Sequence, residues 1–118
     1  MSLEELGRRV DEYGALAFLV TTDGTSPHIV SVNVTFDGTS FSVPAGRSSQ
    51  RNIEATATAT LLWPGREGGS YGLIVDGEAT HDGDIAALRP TTAVLHRLAD
   101  APRDIPSCVR LEAETDPA

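Results

Sequence analysis

Two Asp-Gly dipeptides, Asp23-Gly24 and Asp37-Gly38, each separate stretches of alternating or β-forming residues. Glycine takes positive φ without steric cost and aspartate bonds the backbone just ahead of it, so such a pair turns a chain back on itself. Ala15–Thr22 is apolar and rich in β-formers. Across His28–Phe36, Val30, Val32, Val34 and Phe36 fall on one face, with Ser31, Asn33 and Thr35 on the other. A short strand follows at Thr39–Val43. An antiparallel three-stranded meander is therefore the strongest structural expectation.

The flanking segments extend this pattern. Ser2 and Glu5 have capping-box spacing, Leu3, Leu6, Val10 and Tyr13 form a helical stripe, and Gly14 is a natural stop, so residues 2–13 read as a helix. Pro44–Asn52 breaks the strand pattern, and Ser48 or Ser49 can cap a short helix running to about Ala55. Thr56–Trp63 and Tyr71–His81 read as strands around the Gly-rich loop Pro64–Ser70. Gly77 inside the second marks a bulge or a close backbone approach. Ile85–Leu98 fits a helical turn or a strand lip, Ala99–Pro106 a loop, Ser107–Glu114 a last strand and Thr115–Ala118 a frayed end. The sum is a mainly β chain: one domain over residues 1–118, with about six short antiparallel strands, an N-terminal helix and one or two short helices in a small barrel.

Two absences narrow the chemistry. All nine basic residues are arginine, which excludes a lysine Schiff base and a P-loop lysine. Cys108 is the single cysteine, so no intrachain disulfide or Cys-x-x-Cys pair is possible. A formal charge of −8 argues against general nucleic-acid binding. No apolar run reaches the roughly 20 residues of a membrane span, and the Met-Ser-Leu-Glu-Glu start lacks a signal-peptide pattern, so a cytoplasmic protein is expected.

The segment Gly46-Arg47-Ser48-Ser49-Gln50-Arg51-Asn52 is suited to gripping an anion. Arginine offers a two-pronged fork to phosphate, a helix starting near Ser49 aims unpaired N–H groups at it, and Gly46 lets the backbone approach. Arg47 and Arg51 share a helical face only if the segment is helical from Arg47; the expectation is that Arg47 precedes the helix and reaches over its mouth. The plainer reading is two solvated arginines and a capping serine.

Other residues carry weaker signals. His28, His81 and His96 have no metal spacing and read as surface or strand-end histidines, although His96-Arg97 can reach a dimer seam; haem ligation by one of the three is a minor alternative. Trp63 reads as a core or interface plug and Cys108 as a small buried hydrophobe. Asp76 needs either a wet face or an arginine partner. Asp82-Gly83-Asp84 lacks the further ligands of a calcium loop.

Taken in order, the N-terminal helix, the Ala17–Val32 stretch, Phe36-Asp37-Gly38, Gly46–Ile53 and Leu73–Ala79 give a chain that resembles the pyridoxamine 5′-phosphate oxidase-like family over roughly residues 3–82. The resemblance implies a six-stranded FMN-binding split β-barrel forming a homodimer with two flavin sites at its interface. It implies that Arg47, Ser48, Ser49, Arg51 and Asn52 hold the flavin phosphate, while the ring lies along the strand of Ser31, Val32 and Asn33, largely through backbone groups. Some relatives use a deazaflavin, and the Arg-only, Ala/Gly/Asp-rich composition of a GC-rich source is compatible with that cofactor. The implied activity is hydride transfer through the flavin to a small-molecule substrate that the sequence does not name, with no catalytic side chain assigned. The lysine common in the phosphate loop is missing, and the substrate-binding Arg and His set of the true oxidase has no counterpart near the C-terminus. A non-catalytic split-barrel dimer acting as a binding module is therefore the alternative. A barrel with 5% aromatic residues and split edges is expected to dimerise, burying Trp63 and the later strands against a twin.

Overall fold

The computed structural model describes residues 2–65, 70–97 and 108–111. Helix α1 (Leu3–Tyr13) starts where Ser2 Oγ accepts the Glu5 amide at 3.1 Å and stops at Gly14, whose φ is 92°. Leu6 and Val10 are buried, Leu3 is exposed, and the Tyr13 hydroxyl donates to the Tyr71 carbonyl at 2.6 Å.

Strands β1 (Leu16–Thr22) and β2 (Pro27–Asn33) pair antiparallel, as do β3 (Thr35–Phe36) and β4 (Phe41–Pro44). Both Asp-Gly pairs turn the chain, each in a four-residue loop. Asp23 Oδ1 accepts the amides of Thr25 and Ser26, and Asp37 Oδ1 those of Thr39 and Ser40. The expected meander is thus present, but its middle strand is broken. Val34 lies between β2 and β3, so β2 pairs with β1 and β3 with β4.

Strands β5 (Thr58–Trp63), β6 (Gly72–Asp82) and β7 (Ile85–His96) complete one antiparallel sheet in the order β2-β1-β5-β6-β7-β4-β3, with β8 (Cys108–Arg110) on β7. The two ends of this path, β2 and β3, are consecutive in the chain, so the sheet curls until its ends meet. The result is a split β-barrel with eight strands among the described residues, two more than the sequence suggests.

One added strand comes from the break at Val34. The other is β7, where either a helical turn or a strand lip fitted the sequence. Ala86, Leu88 and Pro90 alternate inward, and beyond an irregularity Ala93 and Leu95 resume the pattern. Gly77 pairs with Pro90 and Asp76 with Thr92, leaving Thr91 as the extra residue of a bulge. Proline brings no N–H to the ladder, and Thr91 Oγ1 instead donates to the Asp76 carbonyl at 3.1 Å. Both expectations for Gly77 hold, since a Cβ there would collide with the Arg89 carbonyl and lie 2.6 Å from Leu88 Cδ2.

Trp63 is 1% exposed and belongs to the chain's own core, not to a seam with a twin. Its ring lies 5.8 Å from that of Phe41, and Nε1 donates to the Gly14 carbonyl at 2.9 Å. Asp76 sits on the wet outer face and is partnered by the Thr60 and Thr92 hydroxyls rather than by an arginine. The Asp82-Gly83-Asp84 segment is the β6–β7 turn, with Gly83 at φ 60°. The loop readings at 66–69 and 99–106, the strand reading beyond Leu111, the frayed end at 115–118 and the burial of the Cys108 side chain lie outside the described residues. No helix among the described residues is long and apolar enough to cross a membrane.

Candidate functional site

Helix α2 (Arg47–Thr56) begins two or three residues earlier than a cap at Ser48 or Ser49 requires. Gly46 occupies the N-cap position and makes no side-chain capping bond. Arg47, Ser48 and Ser49 are therefore the first three helical residues, and neither serine is the cap. Arg47 does not precede the helix, so the condition for Arg47 and Arg51 to share a face is met. Neither arginine forms an ion pair among the described residues; Arg51 reaches only Ser48 Oγ, at 3.4 Å.

Ser49 is 1% exposed, and its Oγ has no hydrogen-bond partner among the described residues. A buried hydroxyl without a partner carries a cost of roughly 1–3 kcal/mol, which a ligand oxygen would remove. It lies on the first turn of α2, where the unpaired amides and the positive end of the helix dipole also favour an anion.

Two adjoining cavities meet at His28. One, of about 420 Å³, lies between β2 (Val30, Ser31, Val32) and the corner formed by Pro44, Ala45, Gly46, Ser49 and Asp84. The other, of about 370 Å³, is bounded by Asp23, Ser26, Pro27, Ser48, Arg51 and Asn52. Ser31, Val32, Ser48, Ser49, Arg51 and Asn52 are thereby brought to one groove. Asn33 and Arg47 are exposed and do not line it.

Among the described residues β2 pairs only with β1, so its other edge is free. The Val34 amide donates to the Ala15 carbonyl at 2.7 Å. Antiparallel alternation then directs the backbone groups of His28, Val30 and Val32 toward β1 and those of Ile29, Ser31 and Asn33 outward. Ser31 and Asn33 thus offer backbone donors and acceptors at the free edge, whereas Val32 contributes a buried side chain.

The groove wall is fastened to the barrel at several points. Asn52 Nδ2 donates to Thr21 Oγ1 at 3.0 Å, and Gln50 Nε2 to the Ala45 carbonyl at 2.7 Å. The Ala45 amide donates to the Asp84 carbonyl at 2.8 Å. His81 bridges Glu54 of α2 and the Gly83 carbonyl. The sequence did not point to His28, Gly46 as the cap, or Asp84 as parts of the groove. The Gly83-Asp84 pair was a readable hairpin signal; the other two depend on the end of one strand facing the start of a distant helix.

Hydrogen bonding to Glu54, then to the Gly83 carbonyl, raises the His81 pKa above the ordinary 6.5. A raised folded-state value means the stabilisation is fully present below the unfolded value and is lost as pH rises through the folded one. His81→Gln is therefore expected to lower the urea midpoint at mildly acidic pH, with the difference from wild type shrinking under alkaline conditions. A difference constant with pH would contradict this latch.

No family model matches the chain. Uncharacterized protein Mb0449c of Mycobacterium bovis and Uncharacterized protein MT0457 of Mycobacterium tuberculosis are each 31% identical over 128 aligned positions, covering 93% of this chain and 88% of theirs. Among solved structures, the "Putative Pyridoxamine 5'-phosphate oxidase" of Listeria innocua superposes with a TM-score of 0.64 at 16% identity, over 79% of this chain and 97% of that one. That likeness is one of fold.

Proposed function

We propose that this chain, which belongs to the family of the mycobacterial proteins Mb0449c and MT0457, is a flavin-binding split-barrel oxidoreductase that holds FMN by its phosphate at the amino end of α2. The observation that carries this reading is the buried Ser49 hydroxyl, without a partner among the described residues, on the first turn of a helix that has no side-chain cap and also carries Arg47 and Arg51, neither of which has a carboxylate partner among the described residues. The fold shared with a protein named for an oxidase of a phosphate ester supports it.

Arg47 and Arg51 supply charge and forked donors to the phosphate, and the amides of the first turn supply neutral ones. The free edge of β2 offers Ser31 and Asn33 backbone groups to the polar rim of a flat heterocycle, while Val32 and Ala45 give apolar contact. A bound flavin would supply the hydride chemistry; the chain would hold and orient it. Asp23 and Asp84 also line the groove, which suits one phosphate better than a deazaflavin tail bearing further negative charge.

The outer face of the sheet supports a homodimer. Leu16 and Ile29 are 65% and 58% exposed, and Phe18, Val20, Leu62, Ile74 and Val94 continue the apolar face across β1, β5, β6 and β7. A second copy covering this face would replace the seam at Trp63 that the sequence suggested.

Fluorescence titration tests the reading. FMN is expected to bind with micromolar or tighter affinity and riboflavin at least about a hundredfold more weakly, the low end for two charge-assisted contacts of about 1.5–3 kcal/mol each. Sedimentation of the saturated protein should give twice the 12.5 kDa chain mass. Equal affinity for the two flavins, or none for either, would overturn the phosphate grip. Reduction of the bound flavin by a reduced nicotinamide separates an oxidoreductase from a binding module.

A further inference from the structure

We infer that His28 is a ligand contact at the waist of the groove, its ring N–H donating to the phosphate held by α2. The inference rests on the phosphate reading above and adds a residue from another element.

His28 lines both cavities and is the residue at which they join. It pairs in register with Thr21, and the alternation of β2 places its side chain on the inner face with Val30 and Val32. Thr21 is also the residue to which Asn52 of α2 is tied, so the imidazole is held at the end of the barrel that α2 covers. Although half-buried, His28 has no hydrogen-bond partner among the described residues. Asp23, which lines the second cavity, accepts the Thr25 and Ser26 amides on Oδ1 at 2.8 and 2.9 Å and does not bond the ring.

Ser48 and Arg51 lie on one side of this waist, and Gly46 and Ser49 on the other. A phosphate able to reach both arms has to pass within range of the His28 ring. An imidazole carries an N–H in either protonation state, so it can donate without depending on pH. Asp84 across the first cavity and Asp23 beside the second repel an anion, and a donor between them would fix where along the groove the phosphate rests.

The test uses the full chain. Wild type, His28→Ala and His28→Gln are titrated with FMN and riboflavin, and wild-type imidazole resonances are followed by NMR as inorganic phosphate is added. FMN affinity is expected to fall about tenfold in His28→Ala, with riboflavin changed less than about twofold, and His28→Gln should recover to within about threefold through its amide donor. Phosphate should shift the His28 resonances and leave those of His96 in place. Equal losses for both flavins, or His28 resonances unmoved by phosphate, would overturn the contact. If wild type fails to bind FMN while phosphate still moves His28, the flavin reading falls and the contact stands. If FMN binds normally and His28→Ala has no effect, the flavin reading stands and the contact falls.

Discussion

Gly77→Val is expected to unfold the protein or lower its urea midpoint by the equivalent of several kcal/mol, with Gly77→Ala costing about 2–3 kcal/mol. A Cβ at this position meets the Arg89 carbonyl and carbonyl carbon, which are backbone and cannot swing aside as a side-chain tip can. Relief requires separating β6 from β7 at the bulge, in the middle of the two longest strands. The effect should extend to the groove, because the same hairpin ends in the turn that carries Asp84 and supports Ala45, and His81 beside that turn binds Glu54 of α2. Equilibrium unfolding followed by Trp63 fluorescence reads this directly. An unchanged midpoint for Gly77→Ala and Gly77→Val would contradict the β6–β7 register.

The double change Arg47→Ala/Arg51→Ala is expected to weaken FMN by about 10²–10⁴-fold, taking each charge-assisted contact at about 1.5–3 kcal/mol. Riboflavin should change by less than about threefold, because it has no phosphate to lose. Both guanidinium groups stand near the surface, so salt should narrow the wild-type advantage: at about 1 M the Debye length falls to about 3 Å. Stability should scarcely move, since neither arginine has an ion-pair partner among the described residues. A parallel loss of FMN and riboflavin affinity would show that the arginines shape the groove instead of binding the ester.

The fold was legible where local chemistry decides it. Ser2, Glu5 and Gly14 marked both ends of α1, and the two aspartates marked both hairpins, because caps and turns are settled within a few residues. The break at Val34 was not legible, since Val30, Val32 and Val34 keep one continuous inward pattern; only closure of the sheet assigns its two halves to different neighbours. Strand β7 was obscured by Pro90 and the extra Thr91, which shift the alternation in a way only the partner strand explains.

Of the site, the Arg47–Asn52 segment was visible as a cluster of suitable residue types. The start of its helix was not, because serines at two successive positions look like caps and glycine at the N-cap leaves a weaker mark. His28 looked like a strand-end residue and is one; its place in the groove follows from α2 crossing that end of the barrel. Ser31 and Asn33 entered only through family resemblance; what the structure adds is that their backbone groups lie on the side of β2 left unpaired among the described residues.

A crystal structure of the FMN-saturated protein is the most direct measurement. The expected result is phosphate density within hydrogen-bond distance of the Ser48 and Ser49 amides and Ser49 Oγ, with the Arg47 and Arg51 guanidinium groups turned onto it. Guanidinium groups turned into solvent, with FMN bound elsewhere or no density beside the first turn of α2, would contradict it.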